Sequence, residues 1–442
     1  MDFVEITSLL IVLAALFSTL NYMFLRLPPA IGVLVVALLA SMAVLGVDAM
    51  LPQSVMAETM RGAVTAFNFS DALLDGMLGL LLFAGALHVK ISDLRVEGRI
   101  VFLMATLGVL ISTLVAGLGL WWLVGAPLLI ALVFGALISP TDPVAVLGIL
   151  HSTNLPRSLE TKIAGESLFN DGVGYVVFLL LVGLAFPAEA HTESGILNAL
   201  LLFVREAGGG ALIGGVLGWL VFKLMARVDD TSVAVLLTLA LALGGYSLAE
   251  TLGVSAPIMA VVAGLMIGEA MTEHVMSEET RGHVDTFWHI IDQVLNAILF
   301  LMIGFEIFAV TFTQASIEIA IIAVGLSLVA RLAAVILPSL MMRKSEPITP
   351  EVIPIMTWGG LKGGISVALV LSLPESEWST LLLTATYVVV VFSIIVQGLT
   401  VAPLARWLSR HHPAHPAPVA AQQPPMPPHT EDSPDAPQPP RD

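Results

Sequence analysis

The hexapeptide Glu166-Ser167-Leu168-Phe169-Asn170-Asp171 places two carboxylates, a hydroxyl and an amide inside an otherwise apolar stretch of chain. On a helix, Glu166 and Asn170 lie four apart, as do Ser167 and Asp171, so two adjacent stripes of one face carry the polarity. A charged side chain in hydrocarbon costs roughly 2.5–3.5 kcal/mol on insertion scales, so such groups face a protein interior or a water-filled cavity. A carboxylate removed from water is relieved by a proton or by a small cation. The segment is therefore a candidate ion site.

Three other features bear on this one. Ser139-Pro140-Thr141-Asp142-Pro143 sets two prolines three apart in the middle of an apolar run, removing amide donors and clashing with the preceding turn. Trp358-Gly359-Gly360-Leu361-Lys362-Gly363-Gly364 packs four glycines around a lysine. Irregular backbone at membrane depth survives only when buried in protein or lining a cavity. Arg331 is the one basic residue deep in its own apolar run and needs an anionic partner. A buried ion pair with Glu166 that ties two helices together is the economical reading of both residues. Asp171 has no comparable cation except Lys362, which favours a functional role for it. Asp142 either caps the half-helix that follows it or ligates a cation. Thr141 offers a hydroxyl and a carbonyl freed by proline, the hard oxygen donors that suit an alkali cation.

The elements that must position these groups are transmembrane helices. The 442 residues are 57% hydrophobic and 12% charged with a mean hydropathy of +0.94, outside the range of soluble domains. Short alternating strands of a membrane barrel are absent from the pattern. The chain holds no cysteine, which excludes disulfides and thiolate chemistry, and its net charge of −16 argues against a nucleic-acid partner. The acidic start Met1-Asp2-Phe3-Val4-Glu5 lacks the basic region of a secretory signal, so the first apolar run reads as a retained span.

Apolar runs predict thirteen spans, near 6–25, 29–47, 71–89, 100–124, 127–150, 161–186, 198–226, 231–250, 254–271, 285–308, 315–342, 351–373 and 379–404. Residues 55–69 read as an amphipathic interfacial segment. Basic residues gather after odd-numbered spans, including Lys90, Arg95, Arg99, Lys223, Arg227, Arg343 and Lys344. That bias puts the N-terminus outside and the C-terminus in the cytoplasm. The Gly208–Gly218 cluster lacks the strand and Lys-Ser/Thr of a phosphate loop and reads as a helix-packing stripe. Residues 1–410 form the membrane domain, and the Pro-rich segment 411–442 reads as a disordered cytoplasmic tail. His88 reads as an interfacial histidine, and Asp292, Glu306 and Glu250 as interfacial or dimer-side groups.

The two broken runs are the fifth and twelfth spans. They differ by seven, so they run in opposite directions across the membrane. Interrupted segments at matching places in two halves point to a transporter binding site. The chain thus reads as an all-α polytopic protein with two inverted six-helix repeats, spans 1–6 and 8–13. Half-helix ends at the breaks carry partial charges that Asp142 and Lys362 are placed to offset.

Taken together and in order, Thr141-Asp142-Pro143, Glu166 through Asp171, Arg331 and Trp358 through Gly364 resemble the motifs of monovalent cation:proton antiporters of the NhaP and NHE type. The resemblance implies a homodimer in the inner membrane, with crossed broken helices in a core of spans 4–6 and 11–13 and a dimer domain from the other spans. It implies that Asp171 binds Na⁺ or a proton in competition, assisted by Ser167, Asp142 and the Thr141 carbonyl. Asn170 then braces the broken helix, Glu166 and Arg331 form a structural pair, and exchange is one-for-one and electroneutral. No cofactor is implied, and no enzymatic activity; the partners are monovalent cations, protons and lipid. Lys362 stands where an arginine is frequent. The glutamate that some members carry in the third span is missing from Leu81-Leu82-Phe83-Ala84-Gly85-Ala86-Leu87, which leaves a ligand to water. Li⁺ is open beside Na⁺ as the exchanged cation, and K⁺/H⁺ exchange is the alternative within this fold. A cation channel or ion-gated sensor is the alternative outside it, although no repeated coordinating rings are present.

Overall fold

The computed structural model describes residues 3–51, 56–66, 69–142, 146, 157–186, 196–272, 276–310, 312–342 and 352–411. The tail predicted at 411–442 falls, from residue 412 on, outside the described residues, as does Pro143. Helices occupy all thirteen predicted spans, with only the first part of the fifth described. Ten of them are long and apolar enough to cross a membrane by length and composition. The remaining three are shorter: Leu128–Leu137 in the fifth span, Ala256–Thr272 in the ninth, and the split pair Val352–Trp358 and Gly364–Leu371 in the twelfth. Met56–Ala66 forms the predicted short amphipathic helix, held by Arg61, whose Nε donates to the Phe308 carbonyl at 2.9 Å.

Two spans begin well before the point that hydropathy alone predicts. The fourth runs continuously from Ile91 to Val124, and the tenth starts at Glu278 instead of 285. In the tenth, Ser277 caps the helix by accepting from the Thr280 N–H at 3.3 Å, and Glu278 and Glu279 complement the helix dipole in the first turn. Caps of this kind extend a helix beyond the hydrocarbon, where apolar content no longer marks it.

The largest apolar cluster joins helices from most of the chain, including the second, third and tenth spans with the fourth, sixth and eleventh to thirteenth, and two smaller ones draw on narrower sets. The buried members of one apolar cluster come only from the fourth, fifth, sixth, eleventh, twelfth and thirteenth spans and the turn at Ala126, with Val133, Phe134, Val177, Ala330 and Leu369 among them. Another is built from the third and seventh to tenth spans, to which the sixth adds only Leu168. The glycine stripe of the seventh span packs on the ninth: Gly210 and Gly214 face the Ser255 and Met259 carbonyls so closely that a Cβ there would lie 2.3 and 2.5 Å away. These contacts support the helix-packing reading of the cluster.

Candidate functional site

Backbone freed by the two breaks is satisfied in part by the two breaks themselves. The Asp142 N–H donates to the Leu361 carbonyl at 2.8 Å, joining the fifth and twelfth spans directly. Lys362 is buried, and its Nζ donates to the carbonyls of Ser139 and Pro140 at 3.2 and 3.3 Å. These oxygens lie just past the carbonyl end of the Leu128–Leu137 half-helix, where a cation is favoured. Across the crossing, a Cβ on Gly363 would sit 2.7 Å from Asp142 Oδ2, so the Asp142 carboxylate lies against the amino end of the Gly364–Leu371 half-helix. These two half-helix ends thus each meet a charge of the opposite sign from the other broken span. The half-helix after Asp142, which the capping alternative concerns, lies outside the described residues apart from Val146.

Two further groups complete the twelfth-span break and were not singled out by the sequence. The thirteenth span carries a π-helical turn at Ser393–Gln397. There Ser393 Oγ accepts from the Lys362 N–H at 2.8 Å and Gln397 Nε2 donates to the Trp358 carbonyl at 3.1 Å. A π-turn displaces side chains from the regular helical face, and such turns recur at functional sites. Polar residues in the apolar thirteenth span are the signal that would have found them.

The sixth span presents its polar face to the fifth. Asn170 Nδ2 donates to Thr141 Oγ1 at 2.7 Å, and its Oδ1 accepts from the Thr141 N–H at 3.3 Å. Ser167 Oγ lies 3.0 Å from Thr141 Oγ1. Thr141, Ser167, Asn170 and Asp171 are all buried. One turn back, Glu166 turns away from this cluster to Arg331, whose Nη1 and Nη2 grip the two carboxylate oxygens, the second at 2.9 Å. The Arg331 Nε and Nη2 also donate to the Met356 carbonyl at 3.2 and 3.0 Å, at the end of the first half of the twelfth span. Gly360 leaves room for the guanidinium, since a Cβ there would lie 2.1 Å from Nε.

Thr141, Asp142 and Asp171 line a cavity of about 70 Å³ with Pro140, Leu168 and the stretch Gly363–Ser366. That volume exceeds what a single water needs. Ser167 reaches Thr141 instead of lining it. The third span contributes Leu78, Leu81, Leu82 and Gly85, an apolar wall where a glutamate was missing. The tenth span closes the far side with Asp292, Asn296 and Leu299. Asp292 thus lines the cavity from the tenth span, Glu306 is buried, and Glu250 is exposed. Among the described residues no group of three or more His, Asp or Glu side chains has the geometry of a tight metal site. The arrangement offers two carboxylates, hydroxyl and backbone oxygens, and an immobilised cation around a small cavity.

Comparisons with known proteins agree with this architecture. The family described as sodium/hydrogen exchanger, transmembrane, matches residues 10–407. The Na(+)/H(+) antiporter NhaP of Pseudomonas aeruginosa is 45% identical over 419 residues, covering 92% of this chain and 98% of that protein. The Na(+)/H(+) antiporter NhaG of Bacillus atrophaeus is 38% identical over 347 residues, 78% of this chain and 64% of that protein. The structure of the sodium proton antiporter MjNhaP1 from Methanocaldococcus jannaschii superposes with a TM-score of 0.71 over 92% of this chain and 98% of that one. Its 18% sequence identity makes that similarity one of fold.

Proposed function

The chain belongs to the sodium/hydrogen exchanger family, and on that premise we propose that it exchanges Na⁺ for protons across the inner membrane, with Asp171 as the shared binding carboxylate. It is a multi-pass transporter and not an enzyme; the ions are cargo. The observation that carries the reading is the cavity beneath the crossing, walled by Asp171, Asp142 and Thr141 and held by Asn170 and Lys362.

In the proposed cycle Asp171, Asp142, Ser167 and the Thr141 carbonyl hold a partly dehydrated Na⁺. Burial makes a bare Asp171 carboxylate costly, so the site moves only when a cation or a proton occupies it. Either occupant leaves the same net charge on the moving part. Lys362 stays tied to the Ser139 and Pro140 carbonyls, so it need not change protonation. One Na⁺ then returns against one H⁺ with no net charge transferred. Competition for one carboxylate gives a pH optimum: protons displace Na⁺ at low pH, and scarce protons limit the return step at high pH.

In this reading six spans move relative to the others. The core of spans 4–6 and 11–13 carries the site, and the rest forms a dimer-making platform, an assignment supported by the cluster confined to those six spans and the adjoining turn. The C-terminus lies in the cytoplasm, as the basic-residue bias indicates. The deciding experiment is reconstitution: Na⁺-driven proton flux in proteoliposomes, abolished in Asp171→Asn. Full exchange by Asp171→Asn would sink the mechanism.

A further inference from the structure

Two residues that line the cavity carry hydroxyls, Thr141 and Ser366, and the two are held differently. Thr141 Oγ1 accepts from Asn170 Nδ2 at 2.7 Å and lies 3.0 Å from Ser167 Oγ. Ser366 sits in the first turn of the Gly364–Leu371 half-helix, is 1% exposed, and its Oγ has no hydrogen-bond partner. Four other buried hydroxyls among the described residues share that condition, those of Thr113, Thr357, Thr386 and Tyr387, and none of these residues lines the cavity. A buried hydroxyl without a partner is costly, and a native fold that keeps one calls for an explanation such as a bound ion or a chemical role. The rest of the twelfth-span wall is Gly363, Gly364 and Ile365, so Ser366 brings the one side-chain oxygen on that side.

From this placement we infer that Ser366 is a further ligand of the transported cation, its Oγ closing from the twelfth span the shell that the fifth and sixth spans begin. The inference rests on the antiport reading above and deepens it. Hard cations are held by oxygen donors, neutral as well as charged. The third-span wall of Leu78, Leu81, Leu82 and Gly85 offers no side-chain oxygen, so a further ligand has to come from another wall. Charge favours a hydroxyl over another carboxylate in that place. Within the core Glu166 and Arg331 cancel each other, and Asp142 and Asp171 against Lys362 leave one negative charge, which a single Na⁺ or proton neutralises. A third core carboxylate would leave the loaded site charged in a buried place, at a cost. Asp292, the remaining carboxylate of the lining, belongs to the tenth span and accepts from Asn296 Nδ2 at 3.0 Å. The amino end of the half-helix would by itself repel a cation beside Ser366, and the Asp142 carboxylate lying against that end offsets it.

The test compares wild type, Ser366→Ala and Ser366→Cys in two measurements: the apparent KM for Na⁺ in proteoliposomes, and the melting temperature in detergent with and without Na⁺. Loss of the oxygen is expected to raise KM about tenfold in both variants, since sulfur in its place is a poor ligand for a hard cation. Without Na⁺, Ser366→Ala should melt at or above the wild-type temperature, because it deletes a hydroxyl that bonds nothing in the protein. The rise in melting temperature that Na⁺ gives wild type should shrink in both variants, since a ligand bound less tightly stabilises the fold less. A wild-type KM in either variant, or a raised KM accompanied by a lower melting temperature without Na⁺, would overturn the ligand role. Absent Na⁺-driven proton flux in wild type would instead overturn the antiport reading, and this inference with it.

Discussion

Arg331 and Glu166, 165 positions apart, meet in a two-pronged ion pair in the buried heart of the protein, with Arg331 also holding the Met356 carbonyl of the broken twelfth span. The pair joins the eleventh, sixth and twelfth spans at a point one turn from the proposed ion-site residues Asn170 and Asp171. Planar guanidinium geometry suits this double grip, which a lysine would not reproduce.

Removing either partner strands a buried charge. Glu166→Gln and Arg331→Ala are each expected to destabilise by about 3–5 kcal/mol, read as lower folded yield and a lower melting temperature in detergent. The double variant Glu166→Gln/Arg331→Ala should lose less than the sum of the two. A well-folded Arg331→Ala whose only change is in ion affinity would contradict the structural role.

Gly360 tests the same junction from the backbone. A Cβ there would lie 2.1 Å from Arg331 Nε, so Gly360→Ala must displace the guanidinium and is expected to cost about 1–3 kcal/mol or more. Gly325→Ala, on the eleventh span with nothing within 4 Å of the new methyl, should leave stability unchanged or raise it slightly. Comparable melting of the two variants would mean that the crossing accommodates the extra carbon.

Asn170 bonds Thr141 at both backbone and hydroxyl. Asn170→Ala leaves the buried Thr141 N–H without that acceptor, a penalty of about 1–3 kcal/mol. The expected result is a lower melting temperature together with a raised apparent KM for Na⁺, since Thr141 faces the cavity. An unchanged KM in a destabilised variant would confine Asn170 to scaffolding.

Exchange that leaves the moving part equally charged in both directions should not respond to voltage. Proton flux driven by Na⁺ in proteoliposomes is expected to proceed at the same rate with the membrane potential clamped at zero or imposed with a potassium ionophore. A rate that rises steadily with the imposed potential would require unequal charge movement and a different stoichiometry.

At the membrane surface, Ser277 and Thr280 hydroxyls donate to Asp229 Oδ1 at 2.8 and 3.1 Å and hold its carboxyl below the ordinary aspartate range. A folded value below the unfolded one, near 3.9, stabilises the protein fully above that pH and loses its effect as pH falls through the folded value. The melting-temperature gap between wild type and Asp229→Asn should accordingly be present at pH 7 and close as the solution is taken below about pH 3.9. A gap independent of pH would assign the effect to packing.

Much of this was legible in one dimension because a bilayer is an unforgiving solvent. It forces apolar runs to be helices, makes two prolines or four glycines in such a run a break, and leaves Glu166 and Arg331 needing partners. The identity of those partners, 165 positions apart, followed from scarcity of charge and not from any local pattern. Where the solvent relaxes, the signal fades: the tenth span begins seven residues earlier than hydropathy placed it, since Ser277 and two glutamates build its first turn in water.

What the sequence determined alone was the class of molecule, the places of the thirteen spans and the hexapeptide proposed to carry the site, since each follows from the cost of burying polar groups in hydrocarbon. Tertiary structure decided which polar groups share a cavity. Asp292 and Asn296 stand with Asp171 because the sixth and tenth spans, 121 positions apart at those aspartates, both line one cavity. Ser393 and Gln397 serve the broken span because a π-turn rotates them toward it. Helical spacing tells which residues share a face, but only packing fixes what that face meets.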